Sequence, residues 1–100
     1  MTRLTVYWRP GCGYCRRLRS ALGRQGVAYE AINIWEEADA REFVRSVAGG
    51  NETVPTVSLA GQTLVNPRPD ELLRLVREKA PELVGVLPAS SRFKLWRRSG

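Results

Sequence analysis

The chain has 100 residues, of which 43% are hydrophobic and three are Trp, enough apolar mass for one core and too much for a disordered chain. Nothing approaches the about 18 consecutive apolar residues of a membrane span, and the opening MTRLTVYWRP lacks the apolar run of a secretory leader, so a cytoplasmic location is expected. The net charge of +6 is uneven, because residues 1–87 hold twelve basic against ten acidic residues while residues 88–100 add four basic residues and no acid. The excess is a basic tail, which says little about the partner of the folded part.

In chain order, Leu4 to Trp8 is partly β-branched and aromatic and runs into Arg9-Pro10-Gly11, the pattern of a buried strand ending in a turn. Cys15, Leu18, Ala21 and Leu22 then recur at helical spacing with Arg16, Arg17, Arg19 and Arg24 between them, and Gly26 is placed to end that helix. Val27 to Ile34 reads as a second strand, so the two strands and the helix form a right-handed parallel βαβ unit. A second helix is expected from Glu37 to Ala48, with Phe43, Val44 and Val47 on one face and Gly49-Gly50 as its stop. Thr56 to Ala60 and Gln62 to Val65 flank Gly61 too closely for a crossover and should pair as a hairpin. Asn66 is the expected cap of a third helix, with Pro67 and Pro69 in its first turn and Leu72, Leu73, Leu75 and Val76 buried as far as Lys79. These elements make an α/β or α+β domain.

Cys12-Gly13-Tyr14-Cys15 falls where the first strand hands over to the first helix. Free N–H groups and partial positive charge at that helix start favour a thiolate, and Arg9, Arg16 and Arg17 add cationic surroundings, so Cys12 is the expected nucleophile. Cys15 lies one turn inward, shares a face with Cys12 and points to the core, which makes it the resolving thiol. Zinc needs four ligands, and the chain has no His and no other Cys, so carboxylates or a second subunit would have to complete a metal site; none is expected. A structural disulfide closing so small a loop would stabilise little.

Thr53-Val54-Pro55-Thr56 joins this pair as a second signal. Together with the CxYC pair opening a helix, the βαβ unit and the closing hairpin and helix, it resembles the glutaredoxins over about residues 3–79. The resemblance implies an α/β thioredoxin fold, a four-stranded mixed sheet flanked by three main helices over residues 1–80, with residues 81–100 as a C-terminal extension. It further implies a thiol-disulfide oxidoreductase in which Cys12 attacks, Cys15 resolves, Pro55 is cis, and Val54 pairs through its backbone with the bound thiol or peptide. Arg9, Tyr14, Thr53 and Asn66 join them as substrate-binding residues.

Glutathione-using members follow the last strand with a Gly-Gly pair and an acid, whereas this chain has Val65-Asn66-Pro67-Arg68-Pro69. With CGYCRRL and GGNETVPTV, that corner resembles the mycoredoxin subgroup, which implies mycothiol rather than glutathione as the low-molecular-weight thiol and no bound cofactor. A near relative is the redoxin type that serves ribonucleotide reductase and is recharged by thioredoxin reductase. Implied partners are oxidised proteins, thiol mixed disulfides and a flavoprotein disulfide reductase, acting on a monomer.

Of the other residues, Trp8 and Trp35 are expected to pack, Trp8 close enough to border the site, and Tyr14 to stand exposed as an aromatic wall. Arg68 and Asp70 fit either a substrate carboxylate or amine, or a solvated helix start. Phe93 and Trp96 in the basic tail raise nucleic acid or a membrane surface as a partner, but no groove-reading motif or stacking platform accompanies them. Neither partner is expected, and residues 89–100 read as a dispensable extension.

Overall fold

The computed structural model describes residues 3–85; the basic tail with Phe93 and Trp96 lies outside the described residues. Four strands, β1 (Leu4–Trp8), β2 (Glu30–Asn33), β3 (Thr56–Leu59) and β4 (Gln62–Val65), alternate with α1 (Gly13–Arg24), α2 (Ala38–Val47) and α3 (Pro69–Lys79). A short 3-10 turn follows at Pro81–Leu83. The sheet order is β2-β1-β3-β4, with β1 and β2 parallel and the other two pairs antiparallel. This is the mixed four-stranded sheet with three helices of the thioredoxin fold.

Alternation along β1 decides which helix covers which face. Leu4 and Val6 join Val57 and Leu59 against Leu18 and Leu22 of α1 and Leu72 and Val76 of α3, all almost fully buried. Tyr7 points the other way and meets Phe43 of α2 with ring centroids 5.0 Å apart. The strand is covered on both faces, so Thr5, on the side of Tyr7, is buried as well.

Helix α1 ends as its sequence demands. Gly26 takes φ 67, its N–H donates to Gly23 O at 3.1 Å, and the Val27 N–H donates to Leu22 O at 3.0 Å, the paired bonds of a Schellman stop. That ending shortens β2 from the expected Val27 start: the Val27 N–H is already spent on the helix, and the Ala28 N–H donates to Leu83 O at 2.9 Å. Gly50 N–H closes α2 in the same manner on Arg45 O at 2.8 Å. The hairpin turns on Ala60 and Gly61, both at positive φ, the geometry whose twist matches two antiparallel strands.

The third helix starts later than expected. Its N-cap is Arg68, not Asn66, and Pro69 is its first residue, with Pro67 outside it. The reason is steric: a residue before proline is pushed out of the helical region, so Arg68 sits at φ −73, ψ 149, and no helix can begin upstream of Pro69. Asn66 instead adopts φ 52 and donates its N–H to Pro55 O at 2.7 Å.

Residues 81–85 are bonded to the domain. Besides the Ala28 to Leu83 bond, Gly85 N–H donates to Gln25 O at 3.1 Å, and Leu83 and Val84 pack against the main core. Cutting the chain after Lys79 should therefore cost about 1–3 kcal/mol through lost apolar burial and three lost hydrogen bonds, the third from the Ala80 N–H to Val76 O at 2.8 Å, whereas cutting after Pro88 should change little. Urea unfolding of the two truncated proteins beside the full chain checks this; equal midpoints for the two cuts would contradict it.

Candidate active site

The site begins with a helix cap. Cys12 holds extended backbone at φ −97, ψ 108, its carbonyl accepts from the Arg16 N–H at 3.1 Å, and its Sγ accepts from the Cys15 N–H at 3.2 Å. The sulfur occupies the place that a Ser or Asp oxygen takes in a common N-cap, facing the free N–H groups of the first turn. The same sulfur donates to Val54 O at 3.7 Å, across 42 positions in sequence. Both cysteines are free thiols.

Their surroundings differ. Cys12 keeps 8% of its surface exposed and Cys15 only 1%, packed with Trp8, Ile34, Val44 and Val54. Burial, reinforced by the hydrogen bond with Cys12, pushes the Cys15 thiol up to about 12, while the Arg9 backbone and charge act weakly in the opposite sense. At neutral pH Cys15 therefore holds its proton.

The third component comes from the segment before β3. The Val54–Pro55 peptide bond is cis, and the Val54 carbonyl lies beside Cys12. Thr53 contributes through its backbone, its carbonyl accepting from the Thr56 hydroxyl at 2.7 Å, and the Asn66 N–H holds Pro55 O from the far side. The pairing of β1 with β3 places Tyr7 opposite Thr56, so the end of β1 that leads into Cys12 and the start of β3 after Pro55 arrive together.

Two recesses lie at the first turn of α1, and one of them reaches the cysteines. One is lined by Trp8, Arg9, Cys12, Cys15, Arg16 and Arg19, together with the Pro10-Gly11 turn. The other is formed by Tyr14, Arg17 and the Asn66–Pro69 corner. Tyr14 is 64% exposed, as expected, with the Arg17 Cζ 5.8 Å from its ring centroid. Arg68 and Asp70 pair with each other at 3.2 Å on the surface. The structure thus gathers Arg9, Cys12 and Cys15 in one cleft, sets Val54 against Cys12, and leaves Tyr14 and Asn66 in the second groove.

Trp8 packs and borders the cleft, but the packing expected of Trp35 is not found. It is 56% exposed, because its backbone N–H donates to the Asn33 side chain at 2.9 Å and the chain turns outward after Ile34. Its ring instead faces Arg9, whose Cζ lies 6.0 Å from the centroid. Arg19, not singled out from sequence as a site residue, lies over the Trp8 ring with Cζ 4.5 Å from the centroid. The signal available for it was spacing, since residues 12, 15, 16 and 19 share one helical face.

Compared with known proteins, residues 4–64 match the glutaredoxin family model. A Mycobacterium tuberculosis protein provisionally named a glutaredoxin is 51% identical over 70 residues, 69% of this chain and 83% of the relative. Mycoredoxin 1 of Corynebacterium glutamicum is 35% identical over 81 residues, 80% of this chain and 100% of the relative. Among solved structures, the glutaredoxin of Archaeoglobus fulgidus superposes with TM-score 0.64 at 28% identity, covering 77% of this chain and 88% of that one. The NrdH-redoxin of Escherichia coli gives 0.63 at 32% identity, covering 73% and 93%. The chain belongs to the glutaredoxin family and is a thiol-disulfide oxidoreductase with a CxxC pair. No helix among the described residues is long and apolar enough to cross a membrane.

The buried Cys15 thiol has a consequence for stability. Its folded value lies above the ordinary 9.0, so the folded protein keeps a proton that the unfolded chain releases. That contribution is fully present below pH about 9 and is lost as pH rises toward 12, by at most about 1.4 kcal/mol per pH unit. Urea midpoints of the reduced protein at pH 8 and pH 10.5 should fall more steeply than those of Cys15→Ala; parallel slopes would contradict the assignment.

Proposed function

We propose that, as a member of the glutaredoxin family, this chain reduces disulfides by attack from Cys12, with Cys15 as the resolving thiol and mycothiol as the low-molecular-weight thiol that recharges it. The observation that carries the division of labour is the unequal setting of the two sulfurs: Cys12 at the helix cap with 8% of its surface exposed, Cys15 one turn inward at 1% with its thiol pushed up to about 12.

In the first step the Cys12 thiolate attacks one sulfur of the target disulfide, forming a mixed disulfide and releasing the other sulfur as a thiolate. In the second, Cys15 gives up its proton and attacks the Cys12 sulfur, closing the Cys12–Cys15 disulfide and releasing the substrate fully reduced. Two electrons pass from the dithiol to the substrate. Alternatively a small thiol attacks the Cys12 sulfur of the mixed disulfide and expels the substrate sulfur as a thiol. A second small thiol then attacks the first, leaving as the small-thiol disulfide and freeing Cys12, so that Cys15 is bypassed. Two equivalents of small thiol return the closed pair to the dithiol.

Recognition is assigned to the residues around this path. The Val54 carbonyl, 3.7 Å from the Cys12 sulfur, is positioned to accept an N–H from the substrate backbone, with Thr53 and Pro55 fixing its direction. Tyr14 and Asn66 wall the groove for the small thiol, and Arg9 borders the cleft on the other side. Mycothiol is favoured over glutathione because the Gly-Gly corner of glutathione-using members is replaced by Asn66-Pro67. The likeness to a protein named mycoredoxin 1 over its whole length agrees with that choice. A second reading, a redoxin recharged by thioredoxin reductase, draws on the likeness to the NrdH-redoxin, whose structure is described as explaining a thioredoxin-like activity profile.

Cys12→Ser should abolish all disulfide reduction, by 1,000-fold or more on the order expected for loss of a nucleophile. Cys15→Ser should retain turnover of small-thiol mixed disulfides and lose reduction of dithiol substrates. Steady-state assays on both substrate classes check this, and loss confined to Cys15→Ser would reverse the roles. With the unaltered protein, a mycothiol mixed disulfide should turn over faster than its glutathione counterpart. Equal rates would remove the reason for choosing mycothiol, and efficient recharging by thioredoxin reductase alone would promote the second reading.

A further inference from the structure

Single exposed apolar side chains are ordinary, but several gathered at one place mark a contact surface. Among the described residues three large hydrophobic side chains stand exposed, Tyr14 at 64%, Trp35 at 56% and Val65 at 42%. All three lie at one end of the sheet. Tyr14 stands between the cysteines, and Val65 pairs with Thr56, the residue after the cis Pro55. Trp35 is two residues past Asn33, which pairs with Trp8 at the end of β1. Because β2 and β4 are the two edges of the sheet, Trp35 and Val65 stand on opposite flanks of the strands that carry Cys12 and Pro55. Tyr14 lines the groove assigned to the small thiol, and Val65 directly precedes Asn66 of that groove. Trp35 lines neither recess.

The exposure of Trp35 is built into its turn. The Ile34 N–H donates to Trp8 O at 2.9 Å, the Trp35 N–H to the Asn33 side chain at 2.9 Å, and the Glu36 N–H to Asn33 O at 3.1 Å. The Arg41 guanidinium donates to Ile34 O at 3.2 Å. Asn33 is buried, and Ile34 belongs to the cluster that encloses Cys15. The turn is thus tied down on both sides and holds the indole outward, although burial would be favourable. Arg9, whose Cζ lies 6.0 Å from the ring centroid, also lines the cleft that reaches both cysteines, so indole, guanidinium and cleft are continuous. A Trp presented by a fixed turn offers a large contact area with little conformational entropy left to lose, the property of an interface anchor.

We propose that Trp35 is a specificity-determining residue for polypeptide substrates: its exposed indole receives an apolar side chain beside the target disulfide, so that the enzyme prefers protein disulfides with apolar flanks. The proposal rests on Cys12 being the attacking sulfur. A polypeptide whose disulfide lies at Cys12 is long enough to pass over Arg9 to the β2 edge, whereas a small thiol ends within the groove of Tyr14 and Asn66. Trp35 thus separates polypeptide from small-thiol substrates.

Two peptides with one disulfide each, identical except for Leu or Ser on either side of one cysteine, provide the test. With the unaltered protein kcat/KM should be about 10-fold higher for the Leu peptide, the effect of one aromatic anchor, and Trp35→Ala should bring the ratio to about one. In Cys15→Ser, capture of the Leu peptide as a mixed disulfide on Cys12 should move the Trp emission to shorter wavelength as the indole leaves water. Trp35→Phe in the same background should remove that shift. A ratio within about twofold of one in the unaltered protein, a preference kept in Trp35→Ala, or an emission shift that survives Trp35→Phe overturns the proposal alone. If neither peptide is captured on Cys12 of Cys15→Ser, the assignment of Cys12 falls with it.

Discussion

The bond on which the site depends is the 3.2 Å contact from the Cys15 N–H to the Cys12 sulfur. It makes one cysteine the cap of α1 and the other the residue one turn inside, and so converts a sequence spacing of three into two chemically different sulfurs. The cap is possible because β1 ends at Trp8 and the Arg9-Pro10-Gly11 turn delivers Cys12 in extended backbone at the point where helix begins. Everything else that touches the cysteines is arranged around that fixed start.

The sheet supplies the arrangement. Because β1 pairs with β3 antiparallel, the C-terminal end of β1 lies beside the N-terminal end of β3, and the segment just before β3 carries Val54 and the cis Pro55. A parallel neighbour in that position would have delivered its C-terminal end instead. The Asn66 N–H, just past the end of β4, then bonds Pro55 O, so the hairpin supports the segment from behind. Central β1 thus determines both the cap and what stands across from it.

Charge is distributed on this frame with a bias of its own. Acids begin only at Glu30, and of those on α2 and the following loop Glu42 and Glu52 are engaged by Arg45. Arg9, Arg16, Arg17 and Arg19 stand around the start of α1, where Arg9 and Arg17 lie against exposed aromatic rings. Guanidinium groups stack on such rings without losing charge, so the rim is both adhesive and cationic.

The sequence by itself determined the elements and the cysteine pair. Gly26 and Gly49-Gly50 announced the helix stops, the helical spacing of Cys15, Leu18, Ala21 and Leu22 matched the buried face of α1, and the tight spacing about Gly61 required a hairpin, because these are local constraints of backbone and periodicity. What only the tertiary structure decided were the places where a local group was claimed by a distant one. Val27 and Ala28 fall outside β2 because Leu22 and Leu83 take their N–H groups. Trp35 is exposed because Asn33 turns the chain. Asn66 turns toward Pro55 and leaves the helix start to Arg68, since the prolines forbid an earlier one. The burial that separates Cys15 from Cys12 is likewise assembled from Trp8, Ile34, Val44 and Val54, residues spread over most of the domain, and no local pattern encodes such a contact.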